Sequence, residues 1–235
     1  MCRAYGPPPT KHSRVEVMPV SERRAARKRE ILEATRKLFD ERGVRDAQIE
    51  DIARAVGINR AIIYRHFSGK EELFAETLVS YLHELDGLLT AGDDADATPE
   101  ARLGLLTTVY LDFGARLPAF VDCAQALLRR RGDELIEEVS EKVMLQLGTA
   151  MAACLNHVVR VLEAGVATGD FVVRDPDLLA NIFYTQALGV LNLVTLQLAV
   201  REHNAGLPVT DSVPFDEVKS LVTMAAVAMA RGDRS

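Results

Sequence analysis

Residues 49–74 read IEDIARAVGINRAIIYRHFSGKEELF, and the spacing inside this stretch decides the fold. Ile49, Ile52, Ala53 and Val56 stand at i, i+3, i+4 and i+7, one face of a short helix that Gly57 breaks. Asn59 is a good N-cap for a further helix reaching Phe67. In that helix Ile63 and Phe67 are four apart and, with Ile58, point toward neighbouring helices. Ala61 and Arg65, flanked by Ile62 and Tyr64, share the outward side. One cation, one phenol and two apolar groups on one face suit a groove wall better than open water.

Residues 29–43, REILEATRKLFDERG, supply the brace. A helix is expected from Glu22 to Arg42, with Ile31, Leu32, Thr35, Leu38 and Phe39 on its stripe and Gly43 as its stop. After the pair, Ser68 is expected to cap a fourth helix whose stripe is Leu73, Phe74, Thr77, Leu78, Tyr81, Leu82 and Leu85. Two short helices around a glycine-centred turn, held by a longer one, form the three-helix unit that places its last helix in a major groove.

Charge points the same way once the chain is divided. The whole carries a net −6, yet residues 1–70 hold sixteen Lys and Arg against nine Asp and Glu, a balance of +7. The remainder balances at −13. A basic first third on an acidic body is the asymmetry of one small domain meeting phosphates while the body is repelled.

These residues carry a resemblance. The stretch from Arg23 to about Leu82, through the IA pair, the glycine turn, YxHF and the following KEEL, resembles the N-terminal domain of the TetR (tetracycline-repressor-like) family. The resemblance implies a homodimer whose second domain holds a ligand pocket and the dimer interface. It also implies that Asn59 replaces the usual serine or threonine at the start of the third helix and that Arg60 occupies a common basic position. By the same likeness, Tyr64 and His66 stand where phosphate contacts are usual, and Lys70 matches a backbone-contacting lysine. Such contacts position a protein and make its affinity salt-dependent.

Two positions depart from the family pattern. Gln48 stands where a capping threonine is usual; it is a weaker cap whose amide still has the reach for a phosphate. Ala61 and Ile62 replace a frequent glycine–threonine pair. Two readings of Ile62 stay open: packing on a thymine methyl, or tolerance at the rim of the core. Arg65 likewise has two candidate partners, a guanine edge and a phosphate.

Residues 1–20 contain three consecutive prolines and no apolar period, and read as a disordered arm; the other reading is a basic arm in the minor groove. Met18 is an alternative start. The polar break TAGDDADATP at 90–99 places a boundary between Tyr81 and Pro99. The expected division is an arm at 1–20, a DNA-binding domain at 21–85 and an effector-binding and dimerisation domain at 99–235. The second part reads as helices over Pro99–Leu117, Pro118–Arg131, Asp133–Ala167 (with a bend at Gly148), Asp175–Glu202 and Pro214–Ala230. No alternating strand pattern with turn signals is found, so the expected class is all-α.

The stretch from Asp175 to Val200 is apolar nearly all round, as befits a helix with two partners. Val218, Val222, Ala225 and Met229 form one face of the last helix. Together the two helices are expected to pair with their mates in a four-helix dimer interface; the other reading is that both finish a monomer's core. Candidate ligand contacts are Tyr110, Phe113, Phe120, Leu155, Asn156, Val159, Tyr184 and Leu188, with His157 and Gln186 as further polar candidates. The lack of Trp and of a dense charged cluster favours a largely apolar effector.

Catalysis is not indicated. The five histidines (12, 66, 83, 157, 203) lack metal-ligand spacing, and no HExxH, GxSxG or phosphate loop occurs. Asp93–Asp94 and Glu137–Glu138 read as solvated faces, and no cofactor is implied. Cys2, Cys123 and Cys154 offer no disulfide framework, which with the lack of a signal peptide points to the cytoplasm. The apolar runs read as short of a membrane span. The expected function is a ligand-responsive repressor that binds a palindromic operator as a dimer. The alternative is control by a partner protein or by thiol oxidation.

Overall fold

In α1 (Val20–Arg42) the buried residues Ile31, Thr35, Leu38 and Phe39 recur at helical spacing. Thr35 spends its hydroxyl on Ile31 O at 2.7 Å, so its burial leaves no polar group unpaired. The computed structural model describes residues 19–44, 47–129, 137–196, 199–203, 207–211 and 214–232. Residues 1–18 of the expected N-terminal arm, with Cys2, lie outside the described residues; its end is already structured, Pro19 standing at the N-cap and Val20 opening α1.

In α2 (Ile49–Val56), Ile49, Ile52 and Ala53 face inward. Gly57 then adopts left-handed φ 71° and ψ 34°, and Ile58 N donates to Ala53 O at 2.9 Å. This glycine-dependent closure turns the chain directly into the next helix. Asn59 caps α3 (Arg60–Ile63) as expected, its Oδ1 accepting from Ala61 N at 2.9 Å. The helix is shorter than the sequence suggested. Beyond Ile63 the bonds tighten to Arg65 N→Ile62 O and His66 N→Ile63 O, the i→i+3 pattern that satisfies carbonyls at a helix end.

Ser68 does not cap α4 (Lys70–Gly92). Gly69 is the N-cap, and the Glu72 carboxylate reaches back to accept from Ser68 N at 2.6 Å. The acidic half of a capping box is thus present without its serine half. The buried period of α4 continues through Leu82, Leu85 and Leu89, so the helix runs through most of the stretch where a boundary was expected. Residues 93–98 make the turn, where Asp93 holds Arg102 by two bonds of 2.8 Å. Thr98 caps α5 (Pro99–Arg116) by accepting from Ala101 N at 3.3 Å.

α6 (Pro118–Leu128) follows; residues 130–136, where the expected sixth helix ends and the seventh begins, lie outside the described residues. The expected helix from Asp133 is interrupted before α7 (Glu141–Thr168). Val139 buries itself, and Ser140 donates its hydroxyl to Glu72 at 2.7 Å, so this segment docks on α4. Gly148 lies inside the continuous α7. Gly169 ends α7, and residues 171–175 link it to α8 (Pro176–Leu196).

Here the expectation of uninterrupted helix to Glu202 fails. Strands β1 (Ala199–His203) and β2 (Leu207–Asp211) pair antiparallel, Arg201 opposite Val209, before α9 (Phe215–Arg231). The fold remains helical in class, with this hairpin as an addition. Its strands mix Arg201, Glu202 and His203 with apolar residues and carry no long alternating face. The missed signal was Gly206 between two β-branched pieces, Val200 and Val209–Thr210.

α4 packs most extensively on α7, and α5 on α9, with α8 against both α5 and α7. Contrary to the sequence reading, α7 and α8 are long and apolar enough to cross a membrane by length and composition. Their buried faces, among them Leu147, Ala150, Val161, Leu162, Leu188 and Leu191, are used in this bundle. Gly114 on α5 admits Leu191 so closely that a Cβ there would collide with its methyl groups.

Candidate nucleic-acid interface and ligand cavity

The three-helix unit buries Ile63 and Phe67 almost completely, which fixes what α3 presents outward. Ala61, Tyr64 and Arg65 are exposed, and Ile62 is half-buried at the edge of the core. Gln48 is exposed and makes no side-chain cap, leaving its amide available. Asn59 is exposed too, but its side chain is used in capping. Arg60 pairs with Glu50 at 2.7 Å and lies 5.6 Å from the Tyr64 ring centroid. An exposed pair of this kind exchanges readily for a phosphate. Glu50's own amide and then Arg60 hold the Glu50 carboxyl below its ordinary range. Lys70 lies with its ammonium 5.1 Å from the Phe74 ring centroid, at the start of α4.

His66 differs from its neighbours. It is half-buried, and its Nδ1 is enclosed without a hydrogen-bond partner. Burial first, then the cations Arg24, Lys28, Arg65 and Arg27, hold its pKa below the ordinary value. At neutral pH it is an uncharged imidazole. Those same cations reveal what the sequence reading passed over: the start of α1 belongs to the basic surface. Arg24 donates to Arg65 O at 3.3 Å, bringing a residue 41 positions away to the end of the outward helix. The residue count of basic side chains before position 30 was the available signal.

The body holds a cavity of about 570 Å³ between α4, α5, α7, α8 and α9. Tyr110, Leu155 and Tyr184 line it as expected, and Gln186 stands at an exposed position on its wall. Six other candidates do not line it. Phe113 and Phe120 are sealed in an aromatic cluster, ring centroids 5.1 Å apart, with Tyr110 edge-on at 5.9 Å from Phe120. Val159 and Leu188 are buried elsewhere in the core, and Asn156 faces solvent. His157 is buried between Asp86 at 2.9 Å and Arg160 at 3.2 Å, joining α7 to α4.

The wall is instead largely aliphatic: Leu82, Leu85 and Leu89 from α4, Leu103 and Leu106 from α5, and Met151 from α7. The sequence does not single these leucines out because a leucine lining a cavity and a leucine filling a core obey the same spacing. Cys154 also lines the cavity, but its thiol donates to Leu82 O at 3.3 Å and burial raises its pKa to about 12. Burial pushes the Cys123 thiol up as well. Neither has the thiolate character of a redox sensor.

The cavity reaches the surface between α8 and α9. Leu193, Leu221, Ala225 and Met229 line it and are exposed, and Met224 lies exposed beside them. The expected α9 face is therefore rotated: Val218 and Val222 are half-buried, while Leu221 and Met224 join Ala225 and Met229 outside. Packing of Ala226 and Ala230 into the bundle sets this rotation.

α4 connects the two regions. Its N-terminal turn carries Lys70 and Glu72, and its later turns carry Leu82, Leu85 and Leu89 into the cavity. Ser68 and Ser140 both meet the α4 start, the former donating to Glu138 O at 3.3 Å.

Comparison with known proteins agrees with this architecture. Residues 31–77 match the family model described as bacterial regulatory proteins, tetR family. The transcriptional repressor KstR2 of Rhodococcus jostii is 32% identical over 152 residues, 63% of this chain and 69% of that protein. A regulatory protein in the tetR family from Rhodococcus RHA1 superimposes with a TM-score of 0.63 at 19% identity, over 87% of this chain and 96% of that one. FadR from Bacillus subtilis, solved with stearoyl-CoA, gives a TM-score of 0.61 at 15% identity, over 85% of this chain and 97% of that one. With a helix-turn-helix at residues 49–67, a matching family model and a relative of this similarity, the chain belongs to the TetR family of DNA-binding transcriptional regulators, which are not enzymes.

Proposed function

We propose that this protein is a repressor that binds a palindromic operator as a homodimer and releases it when a small, largely apolar molecule enters the body. The observation that carries this reading is the shared helix: α4 begins beside the outward α3 and ends in the wall of an apolar cavity. Lys70 and Leu85 are fifteen residues apart, roughly 22 Å along one helix. A ligand that favours one position of the α4 wall therefore also selects a position for α3, and it shifts DNA affinity only through that difference.

Residues 21–85 act as the DNA-binding domain and 99–235 as the effector and dimer domain. Gln48, Arg60, Tyr64, Arg65, His66 and Lys70 meet the phosphates or base edges, with Asn59 holding the helix start and Ala61 and Ile62 at the groove. Tyr110, Leu155 and Tyr184 contact the effector. The exposed α8–α9 face, from Leu193 to Met229, pairs with a second copy, as operator symmetry requires two recognition helices about one helical turn apart. The name repressor for the KstR2 relative and the stearoyl-CoA bound to FadR support repression and an apolar effector. The protein works in the cytoplasm, where the operator is.

The test combines solution mass with DNA selection from random sequence, repeated in the presence of hydrophobic compounds. A dimeric mass, a palindromic consensus and its loss with one of the compounds are expected. A monomer at micromolar concentration that binds DNA with full affinity overturns the dimer; operator binding unaffected by compounds that occupy the cavity overturns ligand release.

A further inference from the structure

Arg24, Lys28, Ile31 and Thr35 stand at i, i+4, i+7 and i+11 on one stripe of α1, with Arg27 at its edge. Ile31 and Thr35 are fully buried, yet in the turns before them the same stripe carries cations. From Val20 to Ile31 the helix runs roughly 16 Å ahead of its first buried residue. This overhang brings Arg24 to the end of the outward helix, where its Nη2 donates to Arg65 O at 3.3 Å. Lys28 is used inside the fold: its ammonium lies 2.5 Å from the Glu76 carboxylate and 5.3 Å from the Phe67 ring centroid. Arg24 and Arg27 are exposed instead. Arg24 spends one of its five N–H groups on Arg65 O. Arg27 meets Glu30 at 2.6 Å in an exposed pair one turn apart, a contact of little worth in water. The charges acting on His66 beside them are all cations: Arg24, Lys28, Arg65 and Arg27.

Resting on the reading of α3 as the groove-facing helix, we infer that the start of α1 is a second DNA-contacting element, Arg24 and Arg27 gripping backbone phosphates beside the end of α3 remote from Arg60. A planar guanidinium fits two phosphate oxygens at once, and three guanidinium groups gathered at one place repel one another until an anion joins them. The division of labour follows from position. α3 carries the groups that read base edges, whereas the α1 arginines fix its register and carry no sequence information. Their contribution is therefore the same on any duplex and fades with salt.

The experiment uses the full chain and two fluorescein-labelled duplexes of about 30 base pairs, one bearing the sequence recovered by selection and one scrambled, titrated between about 50 and 200 mM salt. Arg24→Ala is expected to make the slope of log K against log salt shallower by about 2 on both duplexes, one phosphate being lost from each copy of a dimer. Arg24→Lys is expected to restore most of the slope. Arg29→Ala removes an exposed cation from the opposite face of α1 and is expected to leave the slope unchanged. Glu30→Gln releases Arg27 and is expected to tighten both duplexes about two- to fivefold. An unchanged slope in Arg24→Ala overturns the contact, and so does equal flattening in Arg29→Ala, which would make net charge the cause. Lost preference for the selected duplex at an unchanged slope overturns it as well, because Arg24 then only braces Arg65. No tightening in Glu30→Gln removes Arg27 from the surface. In each of these cases the wild type still binds DNA and the reading of α3 stands. A wild type that binds neither duplex takes down that reading and this inference with it.

Discussion

The α3 face and the cavity are built from opposite materials. On α3 the useful groups are exposed, polar or half-buried, and lie within a dozen residues of one another. In the cavity they are mostly aliphatic, buried except where it opens between α8 and α9, and drawn from five helices between Leu82 and Met229. A surface that reads nucleic acid needs groups that leave the core, and these stand out from the pattern around them. A pocket for an apolar molecule is an interruption of the core, made of the same residues as the core itself. The two regions therefore differ in how a substitution is felt.

The largest contrast is expected from the aromatic cluster. Phe120 is fully buried against Phe113, Tyr81 and Tyr110, so Phe120→Ala removes a packed ring and leaves a void. A loss of about 3–5 kcal/mol is expected in chemical denaturation. A loss below about 1 kcal/mol would show that the body is too loosely packed for the contrast to hold.

A smaller effect is expected on the DNA side, where stability is not at stake. If Ile62 packs on a thymine methyl, replacing that thymine by uracil removes one apolar group, about 0.8 kcal/mol or roughly fourfold in affinity. The substitution is made at each operator thymine in turn and read by fluorescence anisotropy, with Ile62→Ala expected to abolish the difference. No loss at any thymine returns Ile62 to the rim of the core.

The smallest effect concerns His66, which belongs to both regions' logic: it lies on the DNA-binding unit, yet one nitrogen is enclosed. Its pKa is lowered in the folded chain, so below the unfolded value of about 6.5 the unfolded state binds the proton first. Stability is then lost as pH falls through that value toward the folded pKa. The part of the melting-temperature decline between pH 7 and 5 that belongs to His66 should vanish in His66→Gln. An identical decline in variant and wild type would assign it to the carboxylates. The effect is small because the ring is only half-buried, so solvent screens part of the charge.

Legibility in the sequence followed the same division. The Gly57 turn and the Asn59 cap depend on partners within five residues, and both were read correctly. Ser68 was misread as a cap because Glu72 competes for the same turn and the serine hydroxyl is drawn to Glu138 instead. The hairpin at 199–211 was missed because its strands are short and the apolar run of α8 leads into them without a break. Phe113 and Phe120 were assigned to the ligand on residue type, whereas packing placed them one layer behind Tyr110.

By itself the sequence determined the three-helix unit, its outward residues and the basic first third, since each rests on spacing and caps that act over a turn or two of helix. Tertiary structure alone decided that Arg24 joins the end of α3, that α9 turns Leu221 and Met224 outward, and that Tyr110 keeps a buried hydroxyl unpaired. Those outcomes depend on which helices meet and at what rotation, and periodicity within one helix carries no information about the void left between several.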